Sequence, residues 1–160
     1  MQLKRAEQRF RLATADYAQL AAFRRALRAF LRFSEAAAAD AGLTAQHYQA
    51  MLVLRGCPED QRVSINDLAQ ELFIKHNSAV GLVDRLEQEG LIAREPSHSD
   101  RRKVELRLTA RGRQVLAKLA AMHRTELQRV GPELKRFFAT LPRSPRGAAA
   151  APRASGRSRR

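Results

Sequence analysis

A change of period at Gly90 is the feature that most constrains this chain. Before it, Ala79, Leu82, Val83 and Leu86 stand at i, i+3, i+4 and i+7, the spacing of one apolar helical face. After it, Leu91-Ile92-Ala93 is a short apolar run, and Val104, Leu106 and Leu108 alternate with Lys103, Glu105 and Arg107. The spacing predicts a helix from about Asn77 to Glu89 that leads directly into two strands of one hairpin. Between the strands lies Pro96-Ser97-His98-Ser99-Asp100-Arg101-Arg102, a run of turn formers ending in adjacent arginines. Upstream, Ser64-Ile65-Asn66-Asp67 has the form of a capping box, and Ile65, Leu68, Ala69 and Leu72 repeat the helical spacing. Phe73 to His76 would make the turn between the helices, and Arg62-Val63 would add a brief third strand.

Two short helices, a strand, a basic turn and a second strand are the order of a winged helix-turn-helix. The fold class expected is mainly α with a small β wing. Gly90-Leu91-Ile92, followed by Asp100-x-Arg102 and closing with Leu108-Thr109-x-x-Gly112, resembles the MarR-type winged-helix transcriptional regulators. Leu82-Val83-Asp84-Arg85-Leu86 is similar to that family's recognition helix, and the resemblance spans about Leu20 to Val130. It implies a winged helix-turn-helix over about 44–109 and dimerisation helices over about 16–39 and 109–141. It also implies a homodimer on double-stranded DNA, with no enzymatic activity and no cofactor.

Charge is compatible with that partner. The formal net charge of the 160 residues is +14, but Arg143 to Arg160 holds six arginines and no acid, and Met1 to Ala15 adds four bases against one acid. Subtracting these +6 and +3 contributions leaves about +5 for the middle of the chain. An excess of that sign suits a polyanion, with salt-sensitive affinity through counterion release, although charge alone does not choose nucleic acid over an acidic membrane. Cys57 is the only cysteine, so no intrachain disulfide can form. No apolar run approaches the roughly 20 residues of a membrane span, and Met1-Gln2-Leu3-Lys4-Arg5 leads into no signal-peptide core. The expectation is a cytoplasmic protein with no membrane partner.

Taken in order, residues 1–15 read as a basic extension, and 16–142 as one domain. From Asp16, the residues Leu20, Phe23, Leu27, Phe30 and Leu31 mark one helical face, while Arg24, Arg28 and Arg32 form a second stripe. Thr44 is the expected N-cap of the next helix, with Tyr48, Met51 and Leu52 facing inward and Gly56 and Pro58 ending it. Thr109 would cap a long helix carrying Val115, Leu116, Leu119, Met122 and Val130 until Gly131-Pro132 breaks it. Only Glu133 to Leu141 would follow, a departure from the family's longer last helix. From Arg143 onward the composition predicts a disordered basic tail.

Base-edge contacts read sequence and phosphate contacts position the protein, so the exposed early residues of the second helix are the candidate readers. These are His76, Asn77, Ser78, Gly81 and Arg85, with Lys75 as a phosphate contact or surface decoration. Arg85 can pair bidentately with guanine or form a salt bridge with Glu89 one turn on. Asn77 can cap the helix or read a base. Gly81 marks either close backbone approach to DNA or a tolerated defect. At the wing, the resemblance places Arg102 in the minor groove, Asp100 orienting it, and Arg101 or Lys103 on phosphates; the alternative is a solvated basic turn.

Many members of the resembled family bind small aromatic or phenolic carboxylates between dimer helices and winged lobe, which weakens their hold on DNA. The resemblance places Phe23, Phe30, His47, Tyr48 and Met51 in such a cleft, with Arg24 or Arg28 as carboxylate partner. Core packing and a solvated arginine face are the competing readings of the same residues. His47, His76, His98 and His123 show no metal-ligand spacing, and no nucleophile, paired-carboxylate or phosphate-loop motif is visible. The function expected is a homodimeric repressor on a near-palindromic operator. A non-specific architectural DNA binder and a winged-helix protein-interaction module are the alternatives.

Overall fold

The computed structural model describes residues 12–58, 62–96 and 104–140. Five helices and a two-stranded antiparallel sheet occur among them: α1 (Thr14–Asp40), α2 (Ala45–Gly56), α3 (Ile65–Glu71), α4 (His76–Gln88), β1 (Ile92–Pro96), β2 (Val104–Leu108) and α5 (Ala110–Thr140). Ile92 faces Leu108 and Pro96 faces Val104 across the hairpin. Val63 joins Leu106 through an isolated bridge, the expected third strand reduced to one residue pair.

Capping sets the helix starts. The Thr44 hydroxyl accepts from the His47 N–H at 3.2 Å, and His47 Nδ1 accepts from the Thr44 N–H at 3.2 Å. Ser64 and Asp67 make the same reciprocal pair before α3, with the Ser64 N–H donating to the Asp67 carboxylate at 2.9 Å. At the other end of α4, Gly90 adopts φ +67°, its N–H donates to the Glu87 carbonyl at 2.8 Å, and the Leu91 N–H donates to the Leu86 carbonyl at 2.9 Å. This left-handed stop turns the chain from helix into strand within three residues, Glu89 to Leu91.

The winged lobe closes on Met51, Leu68, Val83, Leu86 and Ile92, all fully buried. Leu91, Leu106, Leu108, Leu116 and Leu119 extend the same core from the wing into α5. Leu52, expected to face inward, is instead 39% exposed, and Val104 of the alternating strand is 43% exposed. Leu52 lies one helical position past Met51, which rotates it off the buried face, and Val104 pairs with Pro96 at the loop end of the hairpin, farthest from the buried Ile92–Leu108 pair.

The largest correction concerns α5. It does not break at Gly131-Pro132 but runs 31 residues with Pro132 inside it. A proline lacks the N–H that would bond the carbonyl four residues back, here that of Gln128. Both residues are exposed, so water can satisfy that carbonyl. Packing against α1 offsets the loss: Val130 is buried, Phe137 stacks on Phe23 with ring centroids 4.4 Å apart, and Phe138 meets Phe23 edge-on at 5.8 Å. The chain therefore has the long last helix that a break at Gly131 would have removed.

A buried histidine ties the long helices to the winged lobe. His123 of α5 stacks on Tyr48 of α2 at 4.1 Å, and Phe30 and Phe33 of α1 approach its ring edge-on. Its ring nitrogens lie 2.8 Å from the Ser34 hydroxyl and 2.7 Å from the Leu119 carbonyl, so both are satisfied although the residue is almost wholly buried.

Candidate nucleic-acid interface

The second helix of the helix-turn-helix is amphipathic in the sense a groove reader requires. Ala79, Leu82, Val83 and Leu86 are buried, while Asn77, Ser78, Gly81 and Arg85 form an exposed stripe on the other side. Helix α4 begins one residue earlier than expected, with Lys75 at the N-cap and no side-chain cap hydrogen bond. Asn77 is thus inside the first turn rather than capping it, which removes the capping role. His76 also belongs to the helix and not to the turn. Lys75, His76, Asn77 and Ser78 are all exposed at this end.

Arg85 lies 3.5 Å from Glu89 on the next turn, the salt bridge anticipated as its competing role. With its side chain 61% exposed, that pairing is weak and exchangeable. Nothing lies within 4 Å of a Cβ built on Gly81, so no contact inside the chain requires glycine there.

What holds this helix in register with the wing was not anticipated. Arg94 of β1 reaches back to α4, where one guanidinium nitrogen lies 2.5 Å from the Asp84 carboxylate and the other contacts Glu87. The Asp84 hydrogen bond, opposed by partial burial and reinforced by Glu87, raises the Arg94 pKa above its ordinary value. The base of the wing is closed by Thr109, whose hydroxyl donates to the Gly90 carbonyl at 2.7 Å and accepts from the Gly112 N–H at 2.9 Å. A Cβ on Gly112 would stand 1.9 Å from the Leu91 carbonyl oxygen, so α5 passes too close to the wing for any side chain. Spacing alone could not reveal the Arg94 clamp, because it joins positions 7 and 10 residues apart across a change of secondary structure.

Asp100, Arg101, Arg102 and Lys103, the candidate wing contacts, lie outside the described residues. Pro96 and Val104, which flank that segment, are paired across the hairpin.

The candidate effector residues do not converge on one cleft. Phe23 joins Arg25, Glu133, Arg136 and Phe137 around a cavity of about 560 Å³ between the ends of α1 and α5. Phe30 and Tyr48 meet around His123, and Met51 is fully buried in the winged core. Arg24 and Arg28 are exposed on α1. His47 caps α2 within electrostatic reach of Arg85 and Glu89; burial foremost, then Arg85, lowers its pKa, with Glu89 opposing. Among the described residues, no group of three or more candidate ligands is placed to hold a metal ion, and no helix is long and apolar enough to cross a membrane.

Residues 41–103, from just before α2 to the residue preceding β2, match the sequence model of the MarR family. The HTH-type transcriptional regulator TtmR of Methylorubrum extorquens is 32% identical over 114 residues, covering 71% of this chain and 53% of that protein. The chain spans about half the length of the curated relatives it matches. Among solved structures, AbsC of Streptomyces coelicolor, a MarR family transcriptional regulator, superposes with a TM-score of 0.63 at 24% identity over 78% of this chain and 83% of that one. CouR of Rhodococcus jostii RHA1, bound to p-coumaroyl-CoA, superposes with a TM-score of 0.55 at 25% identity over 74% and 76% of the two chains. Over residues 41–103 this chain matches the MarR family, and its mainly helical fold with a two-stranded wing is that of the solved MarR family regulator AbsC.

Proposed function

We propose that this chain is a sequence-specific DNA-binding transcriptional regulator that works as a homodimer on a near-palindromic operator, represses from it, and is released by a small aromatic or phenolic ligand. The observation that carries the reading is the exposed stripe of Asn77, Ser78, Gly81 and Arg85 on a helix clamped to the wing by Arg94. A reading helix is useful only if its angle to the groove is fixed, and the clamp supplies that. In this reading Ser78 and Arg85, exposed on that stripe, meet base edges, while Lys75 and His76 flank the helix start, where phosphates are favoured. Arg102 is assigned to the minor groove, Asp100 orients it, and Arg101 and Lys103 contact phosphates. A dimer would present two such helices about one DNA turn apart.

The ligand part of the reading rests on CouR, which carries an aromatic acyl ligand, and on the aromatic groups around Phe23 and His123 in this chain. A ligand that favours a lobe spacing unable to bind DNA would weaken binding by a coupling of about 1–3 kcal/mol.

Competition footprinting at moderate salt tests the proposal. A protected near-palindrome that survives unrelated competitor DNA, and disappears with Arg102→Ala, is the expected result. Equal protection of unrelated duplexes would instead support the architectural reading, which Gly81 favours because it offers no side chain to a base.

A further inference from the structure

Three of the described helices end in the same hydrogen-bonded stop, and one of them uses the wrong residue for it. After α1, Gly42 at φ +74° donates its N–H to the Ala39 carbonyl, and the Leu43 N–H donates to the Ala38 carbonyl, both at 2.9 Å. After α4, Gly90 and Leu91 repeat the pattern. After α3, the Phe73 N–H donates to the Gln70 carbonyl at 3.1 Å and the Ile74 N–H to the Ala69 carbonyl at 3.0 Å, with Phe73 at φ +53°. Glycine takes this left-handed conformation freely, and asparagine tolerates it, but a bulky side chain works against it. Phe73 is the only non-glycine residue with positive φ among the described residues.

Its side chain gains nothing inside the protein in return. Phe73 is 97% exposed, whereas the next most exposed large apolar residue, Tyr17, is 60% exposed. Backbone preference and hydrophobic burial therefore both argue against phenylalanine here, and either glycine or asparagine would relieve both. An outlier of this kind at the turn before a candidate reading helix points to a function outside the chain.

We propose that Phe73 is a specificity-determining DNA contact, its ring seated against a thymine C5-methyl group at the edge of the half-site read by α4. This rests on the DNA-binding reading above. The thymine methyl is the apolar feature of the major groove, and Phe73 stands two residues before Lys75, at the exposed start of the helix assigned to that groove. A protein-docking patch would need contiguous apolar surface, but the apolar neighbours Leu72 and Ile74 are part-buried and the residues beyond them, Gln70, Glu71, Lys75 and His76, are exposed and polar.

The test uses the full chain and a duplex enriched from a random pool by the wild-type protein. Phe73→Asn and Phe73→Gly should raise Tm by roughly 2–4 °C, the reverse of a core residue. They should also weaken binding to the enriched duplex by about fivefold or more, with unrelated duplexes bound as before. Replacing one thymine per half-site by uracil, which removes only the methyl, should weaken the wild type by a similar factor and leave Phe73→Asn unaffected. If both variants bind the enriched duplex as the wild type does, or no uracil replacement matters, the Phe73 assignment falls and the regulator reading stands. If the wild type enriches no duplex at all, the regulator reading fails and takes the assignment with it.

Discussion

Gly81 and Gly112 make opposite demands on their surroundings, and single substitutions separate them. A methyl group on Gly112 would collide with the Leu91 backbone at 1.9 Å, where no flexible side chain can give way. Gly112→Ala should therefore destabilise the protein by about 1–3 kcal/mol or more, read as a lowered denaturant midpoint. Gly81→Ala fills open space on an exposed helix face and should stabilise by about 1 kcal/mol. If Gly81 exists for close approach to DNA, the same variant will bind its operator more weakly despite being more stable. His47 adds a pH dependence. Its Nδ1 must be unprotonated to accept the Thr44 N–H, and burial with Arg85 nearby lowers its folded pKa below the ordinary 6.5. The unfolded chain then binds the proton more readily, so the stability is present above about pH 6.5 and is lost as pH falls through the folded value. Thermal melts between pH 7.5 and about 5 should show a steeper loss in the wild type than in His47→Gln, whose amide oxygen keeps the acceptor. Equal slopes would remove His47 from the account.

At the scale of elements, the clamp between β1 and α4 is the contact most worth breaking. Arg94→Met removes two carboxylate partners from a side chain 26% exposed. A stability loss of only about 1 kcal/mol is expected, because Asp84 and Glu87 are 48% and 40% exposed and regain water. Operator affinity should fall by more than that stability change explains, since the reading helix loses its tie to the wing; an affinity equal to wild type would show that the clamp positions nothing. Pro132→Ala should lengthen the continuous hydrogen bonding of α5 and raise stability by roughly 1–3 kcal/mol, measurable by denaturant unfolding. The elements of the winged lobe were legible in the sequence because each carried a local signature: period 3.6 in α4, alternation in β2, capping at Thr44 and Ser64. The continuity of α5 was not, because Gly131-Pro132 is a local stop signal overridden by Phe137 and Phe138 packing on Phe23 more than 100 residues away. For the same reason Arg94 escaped notice as a partner of Asp84, and Phe73 read only as part of a turn.

The molecule as a whole joins a winged lobe to two long helices through His123, Tyr48 and the Leu116–Leu119 stretch of α5. His123 touches both α1 and α2, and α2 in turn packs against the reading helix, with His47 within electrostatic reach of Arg85. The candidate interface was legible as a stripe and a motif, whereas the candidate ligand residues scattered, since aromatic residues on helices read alike whether they line a cleft or fill a core. The central claim is that the folded winged lobe, rather than the general positive charge, selects DNA. It is tested most directly by enriching random duplexes with the purified protein at about 150 mM salt, where non-specific binding is weakened, alongside Arg102→Ala and a chain ending at Pro142. The account predicts an enriched near-palindrome with half-sites about one turn apart, lost with Arg102→Ala and retained without residues 143–160. Absence of enrichment, with DNA retention that vanishes when those residues are removed, would contradict it.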